Sequence, residues 1–341
     1  MRTPRRTART PLLRSSPVIR RRTLSAVAAL AAGSVLLTGC GDGRASDDDA
    51  VPAGAKGSSL NIGPDQHRIR GKKDASAAAL VPQRVRSTGA LRIGVEAGSV
   101  PPLSFYASDD RTLIGVEEDL STLVADTLGL KPQFDPLSWE NLFVGLDSGK
   151  LDAVFSNVTV TEDRKQKYDF ATYRLDELAM EARKGSGWKV RGPEDVAGKT
   201  IAVSSGTNQE KILVGWSEQN EKAGRKPVDI KYFQKNSDTY LALQSGRIDG
   251  YLGPNPTISY HVRTSGQTES VGHFSGGGDR IQGKIAATTK KGSGLAAAYA
   301  AALRKVIADG SYAKVLDRWG LSAEALTTSQ VNPPGLPKTA N

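Results

Sequence analysis

Between Ser156 and Arg164 the chain reads SNVTVTEDR, which brings hydroxyls, an amide, two carboxylates and an arginine together. An arginine beside such groups suits a carboxylate or phosphate, because the guanidinium presents paired N–H donors that match two oxygens. Thr161 reads as the N-cap of a helix beginning EDRKQ, so Arg164 falls in the first turn. A cation there opposes the helix dipole, a penalty that Glu162 and Asp163 partly offset. A residue that breaks a local preference asks for another role, and free N–H groups at a helix start would add to an anion site. The plainer alternative is an Arg164 that pairs with Glu162 or a neighbour on a solvated face. A second stretch, VSSGTNQEK, weakens that alternative: it again runs from a strand through Ser204, Ser205, Gly206, Thr207 and Asn208 into a helix. Thr207 or Asn208 would cap that helix, and Gly206 would let the backbone approach a ligand closely. Two such turns on different domains could hold one ligand between them.

The elements that must position these turns are legible from periodicity. LRIGVE, LDAVFS, KTIAVS, IDGYLG and GKIAATT read as strands. EEDLSTLVADTLGL places Leu120, Leu123, Val124 and Leu128 on one helical stripe, with acids in the first turn where the dipole favours them. NLFVGLDSGK is a second helix, and GLAAAYAAALRKVIADG and SYAKVLDRWG close the chain. Strands alternating with amphipathic helices imply α/β layers with largely parallel sheets, and ligands in such sheets sit at the carboxyl ends of strands. Both polar turns lie there.

The chain has 341 residues, room for two domains, and a formal charge of +10. That charge is not a nucleic-acid footprint. Eight arginines and no acid fall in residues 1–40, leaving 38 basic against 36 acidic residues in the rest, interspersed as on a solvated surface. Residues 1–39 have the layout of an export signal, a cationic start followed by TLSAVAALAAGSVLL, too short an apolar run to span a bilayer. It ends in LLTGC, which is similar to the bacterial lipobox, so Cys40 is expected to carry lipid and to begin the mature chain. Cys40 is also the only cysteine, which excludes an internal disulfide. Arg21 and Arg22 fit a twin-arginine signal poorly, and the export route stays open. Residues 40–80, rich in Gly, Ser, Asp and Ala, are expected to form a flexible tether, with order beginning near Val81.

From about Val81 to Gly320 the sequence resembles the extracellular solute-binding proteins, family three, that serve ABC importers of polar amino acids. The residues that carry the resemblance are LRIGVEAGSVPPLSF, GVEEDL, SGKLDAVFSNVTVTEDR, VAGKTIAVSSGT and SGRIDGYLG, in that order. The resemblance implies an α/β, two-lobed periplasmic-binding-protein-like (type II) fold with a hinge and a ligand cleft between lobes. The first lobe would be discontinuous, 81–175 and 283–325, with the second at 176–282 and a C-terminal tail at 326–341. It further implies that Arg164 clamps a ligand carboxylate, that Ser156, Asn157 and Thr159 add contacts, and that the turn at Ser204, Thr207 and Asn208 closes on the same group. Trp139 would pack on the ligand and Glu96 would read its side chain. Partners would be a small-molecule ligand, a polar amino acid or a related small zwitterion or anion, an ABC permease with its ATPase, and the membrane through the lipid anchor.

The sequence departs from the family's pattern in three places. Val116 stands where the signature has an aromatic, and Ser99 and Val100 stand where a pocket aromatic is expected. Many members hold the ligand's α-ammonium with an aspartate after the GRID strand, but here Pro254 and Asn255 occupy that place; Asp249 lies nearer the strand's start and reads as structural. Either Asn255 and backbone carbonyls suffice, or the ligand is not a free α-amino acid. Two other functions remain open: a dehydratase-like enzyme on the same fold, and a sensory lipoprotein without a permease. The enzyme reading needs a general acid or base in the cleft. His67 falls in the tether, and His261 and His273 read as surface residues. No His, Cys, Asp and Glu cluster has metal-ligand spacing and no phosphate loop appears, so no metal or cofactor is expected.

Overall fold

The structure, a computed structural model, describes residues 60–96, 101–233 and 235–338. Cys40, with the signal and the first part of the tether, lies outside them, as do Ser99 and Val100. Two five-stranded sheets organise the described chain. In the first, the order is Lys131–Leu137, Ala90–Glu96, Ala153–Val154, Lys284–Lys290 and Tyr168–Leu175. In the second it is Thr268–Ser275, Glu177–Arg183, Gly250–Pro254, Thr200–Val203 and Asp229–Tyr232. In each sheet two of the four strand pairings are parallel and two antiparallel, so the sheets are mixed rather than largely parallel. The reason is how the chain changes sheets. Tyr168–Leu175 passes directly into Glu177–Arg183, and Thr268–Ser275 returns to Lys284–Lys290, without helical crossovers; each of these strands pairs antiparallel with its counterpart.

The chain thus changes sheets at Asp176 and again across 276–283. These crossings are tied together, since the Asp176 N–H donates to the Gly283 carbonyl (2.9 Å) and the Gly276 N–H to the Asp176 carbonyl (2.8 Å). Gly276 has no substitute there, because a Cβ would stand 1.7 Å from Asp176 Oδ2.

The expected apolar stripe of the helix Val116–Leu128 is buried against the first sheet, with Leu120, Leu123, Val124 and Leu128 all in the core. The acids of its first turn do more than complement the dipole. Glu117, Glu118 and Asp119 are all buried. Glu117 faces Arg174 at 3.5 Å, Glu118 accepts from the Ser104 hydroxyl at 2.5 Å, and Asp119 pairs with Arg68 at 3.1 Å and Arg318 at 3.3 Å. Burial nevertheless pushes the Glu118 carboxyl up to about 8.

Two segments expected to be loose are packed. Within 60–80, Arg70 forks onto Asp126 (2.6 Å to each oxygen), Asp74 caps the helix Ala75–Ala79, and Ala77 is buried. The acids of the neighbouring helix supply partners that composition alone does not reveal. At the other end, Gln330 and Val331 run beside Tyr168–Leu175, and Leu336 pairs with Thr161 and is buried among side chains of the second sheet. Gly335 allows this approach, since a Cβ would lie 2.3 Å from the Val160 carbonyl oxygen. Among the described residues no helix is long and apolar enough to cross a membrane.

Candidate functional site

A cleft of about 170 Å³ lies where the two lobes face each other. From the first sheet and its loops come Glu96, Trp139, Glu140, Ser156 and Asn157. The turn at Ser204–Gln209 faces them, together with Tyr232, Phe233 and the end of the strand Gly250–Pro254. The strand ends place these groups as the α/β rule requires: Glu96 is the last residue of Ala90–Glu96, and Ser156 and Asn157 follow Ala153–Val154.

Glu96 is part-buried, and its backbone N–H donates to Ser156 Oγ at 2.9 Å. Burial, with the nearby Glu140 carboxylate adding to it, pushes its carboxyl up to about 7. Asn157 sits at φ 51°, a left-handed conformation that asparagine tolerates better than most residues. Two contacts hold it there, and a buried ion-pair cluster supports them. Its N–H donates to Glu117 Oε1 (3.2 Å), its side-chain oxygen accepts from Arg174, and Arg174 is itself fully buried between Glu117 and Glu324. Arg174, Glu117 and Glu324 therefore support Asn157 from behind the cleft, and of the three only Glu117, in GVEEDL, lay in a motif.

Trp139 opens the helix Trp139–Asp147 and meets Phe143 edge to face, with ring centroids 5.1 Å apart. The Arg164 guanidinium lies over both rings, 5.3 Å from Trp139 and 5.6 Å from Phe143. Its Nη1 donates to the Thr159 carbonyl (2.9 Å) and its Nη2 to the Gly206 carbonyl (3.1 Å), so Arg164 ties one lobe to the other. Burial lowers its pKa to about 10. The expected helix after Thr161 is a single tight turn, Arg164–Gln166, and Thr161 Oγ1 accepts from the Arg164 N–H as the cap reading required.

The second turn forms the expected helix, Asn208–Lys222. Thr207 is its N-cap, accepting from Glu210 N (3.2 Å), while Glu210 accepts from Gly206 N (2.6 Å), a reciprocal cap. Gly206 is needed for its φ of 74° rather than for tight space, since a Cβ would sit 3.5 Å from Trp139 Nε1.

Seven of the sequence-derived candidates line the cleft: Glu96, Trp139, Ser156, Asn157, Ser204, Thr207 and Asn208. Thr159, Arg164 and Asn255 do not. Thr159 is buried and donates to Asp176 Oδ2 at 2.7 Å. Asn255 begins the helix Asn255–Ser265 and reaches Glu324 Oε1 at 3.4 Å, beside a second cavity of about 280 Å³. Sequence reasoning missed Glu140, Tyr232, Phe233, Tyr251 and, at the hinge, Asp176. For Glu140 the signal was its place beside Trp139, and for Tyr251 its place in SGRIDGYLG; for the others no local motif exists. Among the histidines, His261 is not a surface residue: it stacks on Tyr240 (3.6 Å) and contacts the buried Glu181 at 2.5 Å. None of the three lines the cleft.

This geometry agrees with what the chain resembles. Residues 91–322 match the bacterial extracellular solute-binding proteins, family 3. The chain belongs to that family. It is 34% identical over 170 residues to the L-cystine-binding protein TcyJ of Escherichia coli, a match that takes in 50% of this chain and 60% of that protein. It is 27% identical over 256 residues to the arginine-binding protein ArgT of Corynebacterium glutamicum, 74% of this chain and 82% of that one. Among solved structures, an ancestral arginine-binding protein bound to arginine superposes with a TM-score of 0.59 at 30% identity, covering 68% of this chain and 98% of its own. The family-3 architecture is two-lobed, and the two sheets joined at Asp176 and 276–283 are those lobes.

Proposed function

We propose that this family-3 protein is the tethered extracytoplasmic receptor of an ABC importer, capturing a small nitrogen-bearing solute, an amino acid or a relative of one, and passing it to a permease. The observation that carries the reading is the cleft itself, built from strand ends and turns of both lobes, with the Glu96 carboxylate facing it and Trp139 forming one wall. A ligand that touches both lobes favours the closed arrangement, so capture is a population shift about the crossings at Asp176 and 276–283. The cystine- and arginine-binding relatives support an amino-acid-like ligand. Small-angle scattering during titration with the solute found by native mass spectrometry of host-purified protein should show compaction. An unchanged radius of gyration at saturation would refute closure.

The anchoring belongs to the same proposal and rests on LLTGC after the cationic and apolar leader. Metabolic labelling with a fatty acid should mark the wild type and spare Cys40→Ala; a labelled variant would remove the anchor from the proposal. An enzyme on this fold has one observation in its favour, because a carboxyl at about 7 is suited to general acid work. Recovery of the bound solute unchanged after prolonged incubation favours the receptor, and a converted solute favours the enzyme.

A further inference from the structure

Four of the residues that the family resemblance assigns to a ligand carboxylate, Thr159, Arg164, Thr207 and Asn208, spend side-chain donors within the protein. The single hydroxyl proton of Thr159 goes to Asp176 Oδ2 at 2.7 Å. The two amide protons of Asn208 go to Asp176 Oδ2 and the Gly276 carbonyl, each at 3.0 Å. Thr207 donates to the Ser204 carbonyl at 2.7 Å. Both terminal nitrogens of Arg164 bond backbone carbonyls, and its face is covered by Trp139 and Phe143. At the centre of this arrangement stands a carboxylate of the chain's own, Asp176, fully buried at the junction of the lobes.

The cleft presents the opposite chemistry. Glu96 and Glu140 line it, and neither carboxylate has a cationic partner among the described residues. Aromatic rings of Trp139, Tyr232 and Tyr251 complete the walls, surfaces that favour a cation. No lysine or arginine lines the cleft among the described residues, and the sequence supplies none at 97–100 or 234. Where an aspartate would take an α-ammonium stands Pro254, whose backbone has no N–H and whose ring has no acceptor. A volume of about 170 Å³ suits a small, slender ligand.

We propose that the cleft selects a small organic cation without a carboxylate, an amine or guanidine, because acids and ring faces line it, no Lys or Arg does, and Thr159, Arg164, Thr207 and Asn208 bond within the protein. The proposal rests on the receptor reading and narrows its ligand class. An entering carboxylate would meet the Glu96 and Glu140 carboxylates with no Lys or Arg beside them, whereas a cation meets acids and ring faces.

Matched pairs that differ only by a carboxylate test this directly: agmatine against arginine, and cadaverine against lysine, by calorimetric titration of the full-length protein. The decarboxylated member should bind at least about tenfold more tightly in at least one pair, since like charges set side by side at a binding site cost several kcal/mol and 1.4 kcal/mol is tenfold. Amino acids binding as tightly as their amines in both pairs would overturn the proposal, as would silence toward all four. Scattering with cystine and glutamine separates the two failures: closure by either leaves the receptor standing with a different ligand class, and closure by nothing removes the receptor as well. In Glu96→Gln, which keeps shape and removes a charge that lines the cleft, the preference for the amine should shrink toward one; an unchanged ratio would overturn the role assigned to Glu96.

Discussion

Replacing Glu96 with glutamine should make the ligand-free protein more stable at pH 8 while weakening its hold on a cationic ligand. The carboxyl is raised from 4.5 to about 7, first by burial and then by Glu140. The folded state therefore binds the proton more tightly than the unfolded chain does. The stabilisation this gives is fully present below pH 4.5 and is lost as pH rises through about 7, so wild-type stability should fall across that window. At about 1.4 kcal/mol per unit, the ionised carboxylate costs the empty protein at most about 3 kcal/mol at pH 8, less whatever cleft water recovers. Glutamine has the same shape and no charge to desolvate, so urea unfolding should show a gain of about 1 to 3 kcal/mol at pH 8 and almost none at pH 4.5. A cationic ligand needs the ionised form, so its affinity for the wild type should rise about tenfold per pH unit below 7 and level off above. The variant should bind weakly with a flat profile. A variant less stable than wild type at pH 8, or a wild type whose stability does not fall between pH 4.5 and 8, would refute the reasoning.

Arg174→Met should cost about 3 to 5 kcal/mol in chemical denaturation, because it strands Glu117 and Glu324 in the interior; a loss under about 1 kcal/mol would mean the pair contributes little net. Arg164→Lys cannot span the Thr159 and Gly206 carbonyls with one ammonium, so the ligand-free variant should be more open by small-angle scattering, and an unchanged curve would show that other contacts hold the lobes. Gly276→Ala drives a methyl into Asp176 and should lower the melting temperature by several degrees, about what 1 to 3 kcal/mol of overpacking gives; an unaltered melt would show that the crossing relaxes freely.

Much of the fold was legible because helices and strands announce themselves by period: the stripe through Leu120, Leu123, Val124 and Leu128 is core, and both turns open as their caps require. The mixed pairing was not legible, because the strands that break it, such as Tyr168–Leu175, carry no mark of direction. Nor was the packing of 60–80, where Arg68 and Arg70 find acids some fifty residues further along. At the cleft, sequence gave the right neighbourhood through Glu96, Trp139 and Ser156. It could not tell that Thr159 and Asn208 face a carboxylate of the chain's own, because Asp176 reaches them only through the crossing between sheets.

The segment that leads into the first lobe is fastened by Arg68 to Asp119, by Arg70 to Asp126, and by Gln66 to Arg318, on two helices of that lobe. A pull on the chain upstream of residue 60 is therefore borne by the first lobe and does not pass through Asp176 or 276–283. Were the protein held at its leading end and the lobes to close as proposed, the first lobe would be the stator and the second the moving jaw. Thermal drag or stretching at that end would leave the jaw unloaded, so the affinity of the cleft should be the same whether the protein is held there or free in solution.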